Sequence, residues 1–302
     1  MKIRLGIFVI SLLLLPLAGF LLSGAEWIEL PACCLAGDTL AENENFRATL
    51  LTALVLLGCI LLINHTLKLR IGTNPLATQR IYFLAMGVTS AVLGWLMSYL
   101  NLFVANWSVE QGDSVAHILI ITLLFGLLIP FALSIRALIG SFTGLLKFLA
   151  HGIALPTGGN ETLVFCFLPV AVLGLLGGAA WPAKLFWLLW LAPLLLLVSL
   201  QLFWNESTIF AGLKSGDWGR AICAALSGLV AGNIAVIGYQ VVGGSLQINF
   251  PHPMFTQLGY VVFGLLSVQL GDVIAENWRG KKRGESHRQN KKFPVAVVVK
   301  KN

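Results

Sequence analysis

Residues 115–135 read VAHILIITLLFGLLIPFALSI, a run from Val115 to Ile135 without Asp, Glu, Lys or Arg that is closed by Arg136. A helix needs about 20 residues of this kind to cross a hydrocarbon core. In lipid every backbone N–H and C=O must be paired within the chain, so helices and closed barrels are the available solutions. The run is continuously apolar, whereas barrel strands are about 10 residues long and alternate with a period of two. The stretch therefore reads as a transmembrane α-helix, and the fold class follows from how often its like recurs.

It recurs in both directions. Upstream lie Ile81–Ala105, Ala48–Ile63 and Leu5–Gly24. Downstream, Thr162–Ala180 and Leu185–Phe203 are split by Trp181-Pro182 and read as a tight helical hairpin, followed by Ala221–Val242 and Phe255–Ile274. The expectation is an all-α polytopic bundle of about eight spans, with residues 1–276 as one membrane domain and 277–302 as a disordered basic tail. Composition agrees: 57% of residues are hydrophobic, 11% charged, and the mean hydropathy is +0.86. Soluble domains carry about a quarter charged residues, so the charges here are too few to cover a water-facing surface.

Orientation follows from the Lys/Arg bias of short loops. With the N-terminus inside, all of the 20 Lys and Arg except Arg47 and Lys184 fall on the cytoplasmic side, so both termini are expected there. Trp27, Trp107, Trp181, Trp204, Trp218 and Trp278 lie near the span ends, where indoles settle at headgroup depth. The first span resembles a signal peptide in its Lys2/Arg4 flank and its Ser23-Gly24-Ala25 site. Its apolar run exceeds the usual 7–15 residues, so retention is expected. The location that fits is a bacterial-type inner membrane.

Chemistry-bearing residues are few. Asp272 is the deepest carboxylate, about one turn from the cytoplasmic end of its span. Gln269 and Glu276 lie three back and four on, which puts all three on one helix face. That face is a candidate substrate or ion site, with Arg136 as a possible partner for Asp272. No span carries a charge at its midpoint. The histidines fall in two layers, His65 with His151 and His117 with His252; no pair shows ligand spacing such as HExxH, so no metal and no cofactor are expected. Cys33 and Cys34 are adjacent in a loop, without a CxxC spacing.

Two glycine patterns read as helix packing: Gly228 with Gly232, and Gly174 with Gly177 and Gly178. Small residues let helices approach closely in lipid, within the chain or against a membrane-protein partner or second copy. The tail from Arg279 carries nine of the 20 Lys and Arg. Lys281, Lys282 and Arg283, directly below the last span, are placed to contact anionic lipid headgroups. No nucleic-acid fold or interleaved aromatics accompany the charge, so nucleic acid is not an expected partner.

These residues suggest a small transporter or a non-catalytic subunit of a membrane complex. The alternative is an enzyme acting on a lipid or polyprenyl phosphate at the cytoplasmic face. Its catalytic candidates are Glu206, Asp217, Arg220 and Asp272, with Arg136, Lys147, His151 and Lys214 on the same side. Convergence of these side chains in one cavity would favour the enzyme, and dispersal around the rim the transporter or subunit.

The orientation is checked with reporter fusions. A fusion after Gly112 is expected to read external and fusions after Gly72 and Asn302 cytoplasmic; a cytoplasmic signal at Gly112 would overturn the assignment.

Overall fold

The structure is a computed structural model that describes residues 40–109, 114–155, 159–204 and 206–278. The first expected span, Cys33 and Cys34, Glu110 and Asp113, and the basic tail with Lys281, Lys282 and Arg283 lie outside the described residues. Among those described, seven helices are long and apolar enough to cross a membrane, one for each of the other seven expected spans. The chain is thus a multi-pass helical membrane bundle.

In chain order the helices are α1 (Leu40–Ile71), α2 (Pro75–Thr78), α3 (Arg80–Val104), α4 (Val115–Gly140), α5 (Thr143–Leu149), α6 (Asn160–Ala180), α7 (Pro182–Phe203), α8 (Gly219–Val241) and α9 (Pro253–Trp278). Their starts follow local chemistry. Ser114 Oγ accepts from His117 N at the head of α4, and Asn74 Oδ1 from Ala77 N at the head of α2; such side chains satisfy N–H groups left open by the first helical turn. Pro182 opens α7 at a position where a missing N–H costs nothing. Pro130 sits inside α4. There Ser134 Oγ donates to the Pro130 carbonyl at 2.8 Å and accepts from Asn64 Nδ2 of α1 at 3.0 Å. Such side-chain bonds help membrane helices tolerate proline.

Burial is inverted relative to a soluble protein. Large apolar side chains face outward, among them Leu102 at 78% and Phe165 at 79% exposure, while Asn45, Asn64, Ser90, Gln201 and Gln269 are buried. Lipid accepts the first group and offers the second no hydrogen-bond partner.

Three antiparallel helix pairs are knit by glycine. In α6 and α7, a Cβ on Gly174 would meet Leu188 O at 2.7 Å and one on Gly178 would meet Leu189 Cβ at 2.7 Å. In α3 and α4, Gly87 and Gly126 each lie 3.4 Å, measured from an added Cβ, from the other's carbonyl oxygen. In α8 and α9, Gly228 and Gly264 pack backbone to backbone, and Gly232 lies under the Tyr260 ring. Both glycine patterns of the sequence are thus occupied within the chain. α1 packs on α4 through Leu56, Ile60, Ile63 and Leu67 against Phe131, Ala132 and Ile135.

The loops gather at two ends. At the basic end, Arg70 stacks over the Phe142 ring at 4.0 Å. There the 141–159 and 204–218 connections bond through Gly152 N to Gly216 O, Leu155 N to Leu213 O and Trp218 N to Leu149 O. At the opposite end, β1 (Trp107–Ser108) pairs antiparallel with β2 (Gln247–Ile248), a two-residue ribbon joining the α3–α4 and α8–α9 connections. The sequence reading contained no strand; so short a ribbon has no periodicity to detect.

A side chain at the α8/α9 crossing must push backbone apart. Gly264→Leu is expected to cost about 1–3 kcal/mol, typical of overpacking, read as a lowered melting temperature in mild detergent. Gly238→Ala, where an added Cβ meets nothing within 4 Å, is expected to leave it unchanged.

Candidate functional site

Two features stand out: an apolar cavity in the half of the bundle away from the basic loops, and a polar layer at the basic end.

The cavity has a volume of about 350 Å³. Its walls are α3, α4, α8 and α9, through Leu93, Phe125, Ala235 and Phe263, and the ribbon crosses its end with Trp107 and Ile248. Thr49 and Thr52 of α1 reach its lining, as do Trp190 and Ser90. The polar groups of these four residues are committed to the protein. Thr49 Oγ1 donates to Asn45 O and Thr52 Oγ1 to Ala48 O, each at 2.7 Å. Ser90 Oγ donates to Phe125 O and accepts from Ile129 N. Trp190 Nε1 donates to Asn106 Oδ1 at 2.9 Å. The cavity therefore offers a mainly apolar environment in which these four polar groups are already satisfied, with Ser98, Thr256 and Tyr260 also on its wall.

Towards the basic end the same helices close. Met86, Ile129, Leu133, Ala224 and Leu266 are buried in one cluster. One to two turns further on lies the polar layer. Arg220 Nη2 of α8 pairs with Asp272 Oδ2 of α9; the side chains are 34% and 23% exposed. Asp272 thus pairs with Arg220 and not with Arg136, the partner considered from sequence. Arg136 stands close by, since the Tyr82 hydroxyl is within electrostatic reach of both Asp272 and Arg136. That hydroxyl packs on Gly271, where an added Cβ would meet it at 2.5 Å. Gln269 is fully buried, and its Oε1 accepts from Ile209 N at 2.7 Å. The 206–209 segment is held at its other end by Glu206 N donating to Gln201 O at 2.8 Å.

The structure thus brings Arg136, Arg220, Gln269 and Asp272 together, and spreads out the rest. Asp217 is exposed, and its Oδ1 accepts from Gly219 N at 2.9 Å, capping α8. Lys147, His151 and Lys214 are exposed on the rim. Glu206 is half-buried on the connection after α7. Glu276 belongs to α9, but its side chain lies outside the described residues. Of the four catalytic candidates only Arg220 and Asp272 meet. Among the described residues no three His, Cys, Asp or Glu gather as a metal-ligating group.

Sequence reasoning missed Gln201 and Tyr82. Gln201 carried a signal, as the one carboxamide side chain in α7. Tyr82 carried none, because its role depends on Gly271 of another helix.

No protein-family model, no curated protein and no solved structure matches the chain. What the fold and site define is a class: a multi-pass α-helical membrane protein with an apolar cavity in one half and a polar layer in the other.

Exposed ion pairs are worth up to about 1 kcal/mol, whereas breaking a buried pair costs about 3–5 kcal/mol. The half-exposed Arg220–Asp272 pair falls between. Asp272→Asn is expected to lower the melting temperature by a few degrees, and adding Arg220→Gln to recover most of the loss. A double mutant no more stable than Asp272→Asn would show that the two groups act separately.

Proposed function

We propose that the protein carries an apolar or amphipathic small molecule across the bilayer, holding its hydrocarbon part in the cavity between α3, α4, α8 and α9. The observation that carries this reading is the chemistry of the cavity wall. Most of its lining is apolar, and the hydroxyls of Thr49, Thr52 and Ser90 and the Trp190 N–H donate to protein acceptors, so binding rests mainly on apolar burial, worth roughly 25 cal/mol per Å². Position supports carriage over mere binding. Towards the basic end the cavity lining gives way, beyond Leu266, to the buried cluster of Met86, Ile129, Leu133 and Ala224, one to two turns short of the polar layer. Passage requires that cluster to part. The α3/α4 and α8/α9 pairs, each knit by glycine, meet the requirement as two units that touch through side chains at the closure and are joined by the ribbon at the opposite end. The sequence bias places the polar layer on the cytoplasmic side.

The dispersed rim residues favour this reading over a lipid-phosphate enzyme. Asp217 is engaged as a helix cap, and Lys147, Lys214 and His151 stand apart in solvent.

The test uses proteoliposomes and a fluorescent amphiphile with a chain of about ten carbons, measuring both equilibrium binding and flux. Wild-type protein is expected to bind the probe and to raise flux at least tenfold over protein-free vesicles. Ala235→Trp, which fills the cavity, is expected to abolish both. Binding without flux would remove the transport reading, and absence of binding would remove the cavity as a ligand site.

A further inference from the structure

We propose that the polar layer is an oxyanion site, built on Arg136 and Arg220 and completed by the side-chain amides of Gln201 and Gln269, that takes a phosphate group. The proposal extends the transport reading by naming a headgroup chemistry, yet it stands on different residues and can hold if carriage fails.

The case begins with charge. Among the described residues two guanidiniums, Arg136 and Arg220, stand with one paired carboxylate, Asp272, and Asp217 and Glu206 lie at the edge of the layer. Arg220 uses one terminal nitrogen on Asp272. Its Nε, and the Nε of Arg136, are buried and meet no acceptor among the described residues. A guanidinium has five N–H groups in a planar fork and no acceptor.

The amides point the same way. Gln201 is fully buried, and neither Nε2 nor Oε1 of its side chain has a partner among the described residues. Gln269 is equally buried; Ile209 N occupies its Oε1, and its Nε2 is left over. Among the described residues, the uncommitted buried groups at this end of the bundle are therefore the Nε donors of Arg136 and Arg220, the Nε2 donors of the two glutamines, and a single acceptor, Gln201 Oε1. They come from four helices, α4, α7, α8 and α9. Such an excess of donors matches a ligand that is rich in acceptors and carries negative charge. A phosphate oxyanion is both, and arginine forks bind it in two-point fashion. The site lies near the ends of its helices, the depth at which lipid phosphates sit. A phosphate there would bridge α4 to α8 and draw the α3/α4 and α8/α9 pairs together at the basic end.

A phosphate group could come from a lipid headgroup or from a soluble ester, so the test has two arms. Full-length protein in neutral maltoside is titrated calorimetrically with phenyl phosphate, with phenol as control. In parallel, native mass spectrometry compares retention of phosphatidic acid with diacylglycerol of the same chains. Binding of phenyl phosphate and not phenol identifies a soluble ester as sufficient; selective retention of phosphatidic acid alone identifies a headgroup. In the arm that binds, Arg136→Gln is expected to weaken affinity at least tenfold. Lys147→Gln, which removes an exposed cation at the same end, is expected to leave it within twofold. Gln201→Leu covers the case in which Arg136→Gln fails to fold. It is expected to keep or raise the melting temperature while weakening phosphate binding several-fold. The proposal is overturned if neither arm shows selectivity for the phosphate, if Lys147→Gln weakens binding as much as Arg136→Gln, or if Gln201→Leu binds like wild type.

Discussion

The close crossing of α8 and α9 at Gly228 and Gly264 fixes the register on which the rest of this bundle depends. A Cβ on either glycine would collide with the other helix's backbone, so this is where the two axes come nearest. Eight residues from each glycine towards the basic end stand Arg220 and Asp272, about 12 Å along each axis at 1.5 Å per residue, and they pair. Towards the other end, Gly232 lies under Tyr260. Beyond it, Asn233 and Gln257 exchange two hydrogen bonds, of 2.7 and 3.1 Å. Ion pair, glycine contact and amide pair are spaced along one antiparallel register. A slip by one residue would turn all three away from their partners.

That register explains why the two halves of the molecule differ. Between the glycine crossing and the basic end, Met86, Ile129 and Leu133 of α3 and α4 pack with Ala224 of α8 and Leu266 of α9, and the bundle is closed. Further from the basic end these helices present Ala231, Gly232, Ala235 and Gly259 to the interior, and α3 presents Gly94. Small residues on facing helices leave space, and that space is the cavity. At the basic end the helices carry Arg136, Arg220, Gln201 and Gln269 instead, long polar side chains whose groups cannot be left to lipid. Steric bulk and polarity along the helices thus divide the interior into cavity, closure and polar layer.

Much of the architecture was legible in the sequence because lipid enforces a simple rule. Each span must be apolar over some 20 residues, so Val115–Gly140 and its six counterparts were found within a few residues at most ends. The largest difference is α1, which continues to Ile71 instead of stopping at Ile63, because a helix can carry Lys68 and Arg70 beyond the hydrocarbon region. The glycine patterns announced close packing, but not with what. Side-chain partners were less accessible. The spans are apolar almost all round, so no stripe reveals which face of α4 or α9 turns inward, and Arg136 was the partner the sequence offered for Asp272. The cavity was hidden for the same reason: its lining is assembled from α1, α3, α4, α7, α8, α9 and the ribbon, one or two residues per turn.

The separation of cavity from polar layer constrains any molecule that uses both. On α3, Ser90 borders the cavity and Tyr82 the polar layer, again eight residues or about 12 Å apart. On α9, Leu266 and Asp272 are six residues apart, about 9 Å. A phosphate bound between Arg136 and Arg220 could not have its chain in the cavity while Met86, Ile129 and Leu266 remain packed together. Head and tail sites are therefore successive in this arrangement, unless the closure parts. The contacts that would have to yield are side-chain contacts between the α3/α4 and α8/α9 pairs, including Tyr82 on Gly271, and not the glycine contacts within them. Gly271 allows the Tyr82 hydroxyl to rest directly on the α9 backbone, one residue from the carboxylate that neutralises Arg220. The point where the two pairs meet at the basic end is thus also the point where charge in the layer is balanced, so an arriving anion and a movement of the pairs would act on the same few atoms.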